Sequence, residues 1–381
     1  MTNKMRMNKS FYTQALHALC IFVSGWVLCG CGPQGHNDNT EDGEAADRHA
    51  ESQLPCVIVS TTDLKGILEA ISGETIELHS FGKGNQDPHD LDILPSYVRE
   101  MNDADLWVQV GNGIEAAWYP NLIRNANNPD ILDGAEGFMD VSLGVTPLEG
   151  IVGDILGAGH NSGVHEAGNP HYLLDPIEGI RVAESVTRRL SKMLPDQAAE
   201  FVGNFEKFHD QLASALIGEA LAERHDVVQI ADMYMAGTLE AYLEQQGHGV
   251  ALQGWLGELQ AHRGTVVVGD HDLWPYFSRR IGLGVLGYFE PEPGIPPTTK
   301  HLQALIAQMK TQSVKIILSA PYFDKRHATF VSDNTGAVVL PMCHQTQARP
   351  GTETYFDMVR HNMETIIMGL KKTQSSAPAA K

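Results

Sequence analysis

The chain carries one pattern twice, namely short apolar segments that alternate with longer stretches of helical periodicity. Strands that alternate with helices build a parallel sheet with helices on its faces. We therefore expect an α/β protein of two lobes, each with a parallel sheet flanked by helices. The strand-like segments are Cys56–Ser60, Thr75–Phe81 and Leu106–Val110 in the first series and Thr265–Gly269, Gly284–Phe289, Val314–Leu318 and Ala337–Leu340 in the second.

A long helical stretch separates the two series. Apolar side chains recur there at spacings of three and four residues, as on one face of an amphipathic helix. We predict one long rigid helix that joins the lobes as a strut, although the pattern equally fits a helix buried within one lobe. The stripe consists of Phe201, Phe205, Phe208, Leu212 and Leu216. The predicted domains are an N-terminal lobe over 54–194, a linking helix over 195–222, a helical insertion over 223–263 and a C-terminal lobe over 264–381.

The first thirty residues have the composition of an export signal. Three basic residues precede an apolar stretch from Ala15 to Leu28, which is shorter than the roughly 20 residues that a membrane span needs. The stretch ends in Cys29-Gly30-Cys31, which resembles a bacterial lipobox. We predict a lipoprotein signal peptide over 1–30, lipidation of Cys31, and a disordered polar tether over 31–53. An uncleaved anchor and a plain signal peptide are the alternatives.

The overall charge argues against one class of partner. The chain has 27 Lys and Arg against 47 Asp and Glu, a net charge of -20. Such a surface repels phosphates instead of releasing their counterions, so we expect no nucleic-acid partner.

Three of the 17 histidines follow predicted strands, where ligands gather in open α/β sheets. They are His89 in Gln86-Asp-Pro-His89, His171 in Gly168-Asn-Pro-His171, and His271 after the strand that ends at Gly269. Each alone is more typical of a capping or surface histidine. Together, two in the first lobe and one in the second, they predict a site for a divalent transition metal in the cleft, since neutral imidazole suits zinc.

The same residues resemble the zinc/manganese solute-binding lipoproteins of bacterial metal ABC transporters. The similarity includes Asp87-Pro88-His89, Asn169-Pro170-His171 and Asp270-His271, and it extends from about Val57 to Leu370. It implies an exported, membrane-anchored monomer in the periplasm or on the cell surface. Such a protein is not an enzyme: it captures Zn²⁺, or alternatively Mn²⁺, and delivers it to a membrane permease.

The resemblance also directs attention to a fourth ligand. Many members have a carboxylate about a dozen residues before the tyrosine that opens the C-terminal helix, and the same count from Tyr355 gives Cys343, beside His344. A Cys343 thiolate would favour zinc, whereas an inert buried cysteine with water as the ligand is the alternative. Asp324 is another possible oxygen donor. His160 and His165 are candidates for a weak capture site or are solvated loop histidines.

Two other classes of protein stay open at this point. A zinc hydrolase would use an open coordination position to activate water, but the chain has neither a His-Glu-x-x-His nor a Gly-x-Ser-x-Gly motif. A surface adhesin lipoprotein with a structural metal would need only exposed surface. For the transport protein, Asp87 and Asp270 are candidates for orienting the imidazoles, by adjacency alone.

Overall fold

Two four-stranded parallel sheets form the framework of the computed structural model, which describes residues 54–145, 148, 168–247, 251–290 and 295–375. The predictions for residues 1–53, including Cys31, and those for His160 and His165 lie outside the described residues. Across these ranges, every helix is too short or too polar to traverse a lipid bilayer.

The first lobe has the strand order β2-β1-β3-β4, with all pairs parallel. Its central strands are continuous apolar runs because helices cover both faces of the sheet. The sequence did not predict the edge strand β4, since a strand of three residues is too short to show a pattern of apolar residues. In chain order the elements are β1 (Cys56–Val59), α1 (Thr62–Ser72), β2 (Glu77–Ser80), α2 (Pro95–Asp103), β3 (Leu106–Gln109), α3 (Tyr119–Ala126) and β4 (Phe138–Asp140).

Within the described part of the chain, six α-helices follow before the second sheet. The long helix Ala198–Ile217 packs against helices of the first lobe and against Gly254–Leu259, which leads into the second. It ends at Gly218, whose φ of 83° takes the backbone out of the helical region, so it is shorter than the predicted 195–222 segment. These helices are α4 (Pro176–Met193), α5 (Ala198–Ile217), α6 (Glu219–Ala222), α7 (Val227–Ala236), α8 (Leu239–Gln245) and α9 (Gly254–Leu259).

The second lobe repeats the arrangement of the first, with the strand order β6-β5-β7-β8 and parallel pairing throughout. The predicted α/β fold with two parallel sheets is therefore confirmed. In chain order the elements are β5 (Val266–Gly269), α10 (Pro275–Arg280), β6 (Gly284–Tyr288), α11 (Thr299–Thr311), β7 (Ile316–Ser319), α12 (Lys325–Thr335), β8 (Val338–Pro341) and α13 (Tyr355–Ser375).

The segment between β8 and α13 ties the second lobe to the first. The Thr346 amide donates to Asp63 Oδ1 at 2.7 Å, and the Thr62 hydroxyl donates to the Thr346 carbonyl at 2.8 Å. At the start of α13, the Tyr355 hydroxyl donates to the Leu173 carbonyl of the first lobe at 2.8 Å. The lobes are thus joined here as well as through α5.

A buried ion pair adds a further link between the lobes. Asp175 caps the N-terminus of α4, and its carboxylate accepts from Arg280 Nε of α10 at 2.7 Å. Both side chains are almost fully buried. Arg280 Nη1 also donates to Asp232 Oδ1 at 2.9 Å, so it is removal of Arg280 that would leave a buried carboxylate without its cation. This pair holds the end of α10 close to the loop that carries His171.

Candidate metal centre

His89 lies in the loop after β2, and Asp87 sets its orientation. Asp87 Oδ1 accepts from the backbone amide of His89 at 2.9 Å and pairs with His89 Nδ1 at 2.8 Å. Burial would raise the pKa of Asp87, but its hydrogen bonds and charge interactions with His89 outweigh that effect and lower it. Asp87 is therefore a carboxylate that holds the ring proton on Nδ1, so the lone pair is on Nε2.

His171 opens a short 3-10 turn, His171–Leu174, and is buried. Its backbone amide donates to Asn169 Oδ1 at 2.9 Å, and Asn169 Nδ2 donates to the carbonyl of Asp272 at 2.9 Å. Asn169 therefore couples the first-lobe His171 loop to the second-lobe loop that carries His271. The sequence analysis missed this role, although an Asn two residues before the start of a turn is a capping signal.

His271 comes two residues after β5 and is also buried. The preceding residue, Asp270, accepts from the His271 amide at 2.9 Å, from Trp274 Nε1 at 3.1 Å and from the Ala320 amide at 2.5 Å. Burial raises the pKa of Asp270 to about 7, against the effect of these hydrogen bonds. Asp270 thus shapes the loop through the backbone, whereas Asp87 contacts an imidazole ring directly.

The three imidazoles come together although they are far apart in sequence. The ring centroids of His89 and His171 are 5.1 Å apart, those of His171 and His271 5.8 Å, and those of His89 and His271 6.0 Å. An imidazole that binds zinc at about 2.0–2.1 Å has its centroid roughly 3.2 Å from the ion, and two such rings at the tetrahedral angle stand roughly 5.2 Å apart. One distance matches this estimate and two exceed it by less than an ångström.

The three rings are therefore close neighbours but do not form a closed coordination sphere. In agreement with the longer distances, no group of three or more His, Cys, Asp or Glu side chains among the described residues already has the arrangement of a metal site. An inward movement of about half an ångström by each ring would bring the separations to those expected for a shared zinc ion.

Cys343 and Asp324 each have partners outside the three imidazoles. The backbone of Cys343 is bound in both directions by the Asn362 amide group, at 2.7 and 2.8 Å, and the buried thiol lies beside Arg349 and Thr352. Burial raises the pKa of Cys343 to about 11, so the thiol keeps its proton at neutral pH. Asp324 caps α12, and its hydrogen bonds to Arg326 lower its pKa to about 2.

A small cavity borders the loops that carry His89 and His171. The described residues that line it include His171, Pro88 and His344, whereas Cys343 does not reach it. Burial lowers the pKa of His344 to about 4, so its ring is neutral at physiological pH. Of these two neighbours, His344 thus faces the cavity that His171 also lines, and Cys343 does not.

Comparison with known proteins gives a family for this arrangement. The family model described as ZnuA, the periplasmic component A of the zinc-uptake complex, matches residues 57–225 and 250–369. The manganese-binding lipoprotein MntA of Halalkalibacterium halodurans is 21% identical over 355 residues, which cover 92% of this chain and 97% of that protein. The manganese ABC transporter substrate-binding lipoprotein PsaA of Streptococcus pneumoniae is 22% identical and covers 93% and 98%.

Solved structures agree on the fold. A crystal structure of a ZnuA deletion mutant with zinc bound superposes with a TM-score of 0.60 at 18% identity, covering 86% of this chain and 100% of that one. At this identity the similarity concerns the fold, and the function is argued from the residues of the site.

Proposed function

Because the chain belongs to the ZnuA family of periplasmic zinc-uptake components, we propose that it captures one zinc ion per molecule and delivers it to the permease of an ABC importer. The coarser function follows from the family: the chain is the extracytoplasmic metal-binding component of an ABC transporter and not an enzyme. The hydrolase alternative is therefore set aside.

The observation that supports metal capture is the meeting of three imidazoles from three separate loops at centroid distances of 5.1 to 6.0 Å. We propose that His89, His171 and His271 each donate one nitrogen to the ion. Two of these loops belong to the first lobe and one to the second, so bound metal would strengthen the contact between lobes.

Zinc is proposed over manganese because of the donor atoms. Nitrogen donors bind zinc more tightly than manganese, which prefers carboxylate and other oxygen ligands. The Asp87 carboxylate is engaged with the Nδ1 side of His89, opposite the nitrogen that would bind the ion. Two of the relatives are named for manganese, so the relative affinity for zinc and manganese is the quantity to measure.

Delivery requires the ion to leave without covalent chemistry. We propose that docking on the permease shifts the lobes enough to separate His271 from the other two rings, which weakens all three bonds together. Because imidazole binds metal in its neutral form, protons compete with the ion and affinity should also fall in acid. We further propose a monomer that is anchored to the membrane by lipid on Cys31.

Removal of one ligand tests the proposal. We expect His171→Ala to weaken zinc binding by about 100-fold or more, in a competition titration against a chelator of known affinity. His79→Ala is the matched control, since His79 is half exposed and pairs with Glu77 away from the site. Equal zinc affinity in the His171→Ala variant and the unmodified protein would contradict the proposed site.

A further inference from the structure

His344 is a buried histidine to which the three-ligand site gives no role. It lies three residues beyond the end of β8, is 6% exposed, and lines the cavity beside His171. Its Nε2 pairs with the carbonyl of Gln86 at 2.9 Å, in the loop that carries His89. A residue of the second lobe is thereby held against the first-lobe loop of the metal centre.

The surrounding hydrogen bonds determine which nitrogen of His344 carries the proton. Gln345 Nε2 donates to the carbonyl of Lys83 at 2.8 Å and to that of Gln86 at 3.1 Å. Gln345 Nε2 also lies 3.1 Å from His344 Nε2, but its two hydrogens are taken by the two carbonyls. Since the Gln86 carbonyl only accepts, we assign Nε2 of His344 as the protonated nitrogen that donates to it. The lone pair of the neutral ring is therefore on Nδ1.

Nδ1 of His344 is buried and finds no hydrogen-bond donor among the described residues. Two other buried polar atoms on the same cavity, Gln345 Oε1 and Thr61 Oγ1, likewise have no partner within the described part of the chain. Buried polar atoms normally have partners, and a cluster of exceptions in one cavity calls for a bound group. An acceptor nitrogen beside a metal-binding histidine is suited to a cation.

Ring contacts connect His344 to the remaining ligand. Its ring lies 4.5 Å from that of Tyr322, which lies 4.2 Å from that of Phe323, and Phe323 lies 5.8 Å from His271. Together with the Gln86 bond and the shared cavity, these contacts place His344 next to the elements that carry all three predicted ligands.

We propose that Nδ1 of His344 is the fourth ligand of the bound ion and the residue that makes the site select zinc over manganese. The inference rests on the proposed function of the other three histidines. Four imidazoles supply four nitrogen donors and no carboxylate, which is a tetrahedral set that zinc accepts and that manganese, which prefers oxygen, binds poorly. The neighbouring Cys343 is then a core residue.

The test compares three variants of the full chain by competition titration with Zn²⁺ and with Mn²⁺. His344→Gln keeps an amide nitrogen near the Nε2 position, where it can still donate to Gln86, and removes the Nδ1 ligand. His344→Asp supplies a carboxylate oxygen in place of the imidazole. Cys343→Ser is the matched control, because it changes the adjacent buried side chain that does not line the cavity.

We expect His344→Gln to weaken zinc binding by about 100-fold, and His344→Asp to shift the zinc-to-manganese affinity ratio toward manganese by at least about tenfold. Cys343→Ser should change both affinities by less than about threefold relative to the unmodified protein. Loss of a residue that merely hydrogen-bonds to a metal ligand already lowers affinity by about 10- to 100-fold. The absorption spectrum of bound Co²⁺, which reports the donor atoms, should change in both His344 variants and persist in Cys343→Ser. Thermal unfolding without metal verifies that each variant is folded.

Unchanged zinc affinity and an unchanged Co²⁺ spectrum in His344→Gln would overturn the inference and assign the fourth position to water. If Cys343→Ser alone alters the spectrum, the thiol is the ligand and the inference is equally overturned. Either result leaves the proposed function intact as long as His171→Ala loses zinc. If His171→Ala also keeps its full zinc affinity, the proposed site as a whole is rejected.

Discussion

Asp87 offers the sharpest test of how the site is held in shape. It makes two bonds to His89, to ring Nδ1 at 2.8 Å and to the backbone amide at 2.9 Å. Loss of an outer partner of a metal-binding histidine typically costs 10- to 100-fold in affinity, or about 1.4–2.7 kcal/mol. The Asp87 side chain is 31% exposed, which screens its charge, so we expect Asp87→Ala to weaken zinc binding by about 10- to 30-fold.

The size of the effect in Asp87→Asn separates hydrogen bonding from charge. The asparagine keeps an acceptor oxygen for Nδ1, so the loss should be only about threefold if orientation of the ring is what matters. Asp90→Ala removes the same charge from an exposed position next to His89 and should change zinc affinity by less than about twofold. Equal losses in Asp87→Ala and Asp90→Ala would refute the reasoning, because net charge alone would then explain both.

Two further predictions concern stability. Burial raises the pKa of Glu115 from 4.5 to about 7, so between these pH values the folded state keeps a proton that the unfolded state loses. The free energy of unfolding should therefore fall by about 3 kcal/mol as the pH rises from 4.5 to 7. Urea unfolding should show a loss between pH 4.5 and 7.5 that is about 3 kcal/mol smaller in Glu115→Gln than in the unmodified protein, since other buried carboxyls with raised pKa values, such as Asp270, remain in both. Parallel pH profiles of the two proteins would contradict this prediction. Gly179→Ala should cost about 3 kcal/mol because its methyl group would overlap the buried Tyr355 hydroxyl, which joins the lobes. Gly203→Ala, with no atom within 4 Å, should instead be neutral or slightly stabilising in thermal unfolding, and equal effects of the two substitutions would refute the packing argument.

The fold was predictable because its signals are local. Continuous apolar runs such as β1 and β5 mark strands covered on both faces, and the stripe from Phe201 to Leu216 marks the long helix. The element that the sequence did not predict depends on tertiary contacts. The strand β4 has three residues, too few for a period, and its place in the sheet comes from pairing with β3.

The site was partly predictable for a related reason. Ligands gather at the carboxyl ends of the strands in open α/β sheets, so histidines that follow β2 in one lobe and β5 in the other were expected to face the cleft between the lobes. A count of residues toward Tyr355, in contrast, could not decide between Cys343 and His344. Neighbouring side chains point in different directions, and a shift of one residue exchanges the core for the cavity. The hydrogen bond from His344 to Gln86, between residues distant in sequence, is the contact that leads us to propose His344.

The most direct test of the account is a crystal structure of the zinc-loaded protein with anomalous diffraction recorded at the zinc absorption edge. The account predicts one ion per molecule, with a ring nitrogen of His89, His171 and His271 each about 2.0–2.1 Å away. A zinc peak elsewhere, or one that is bound by fewer than three of these rings, would contradict it.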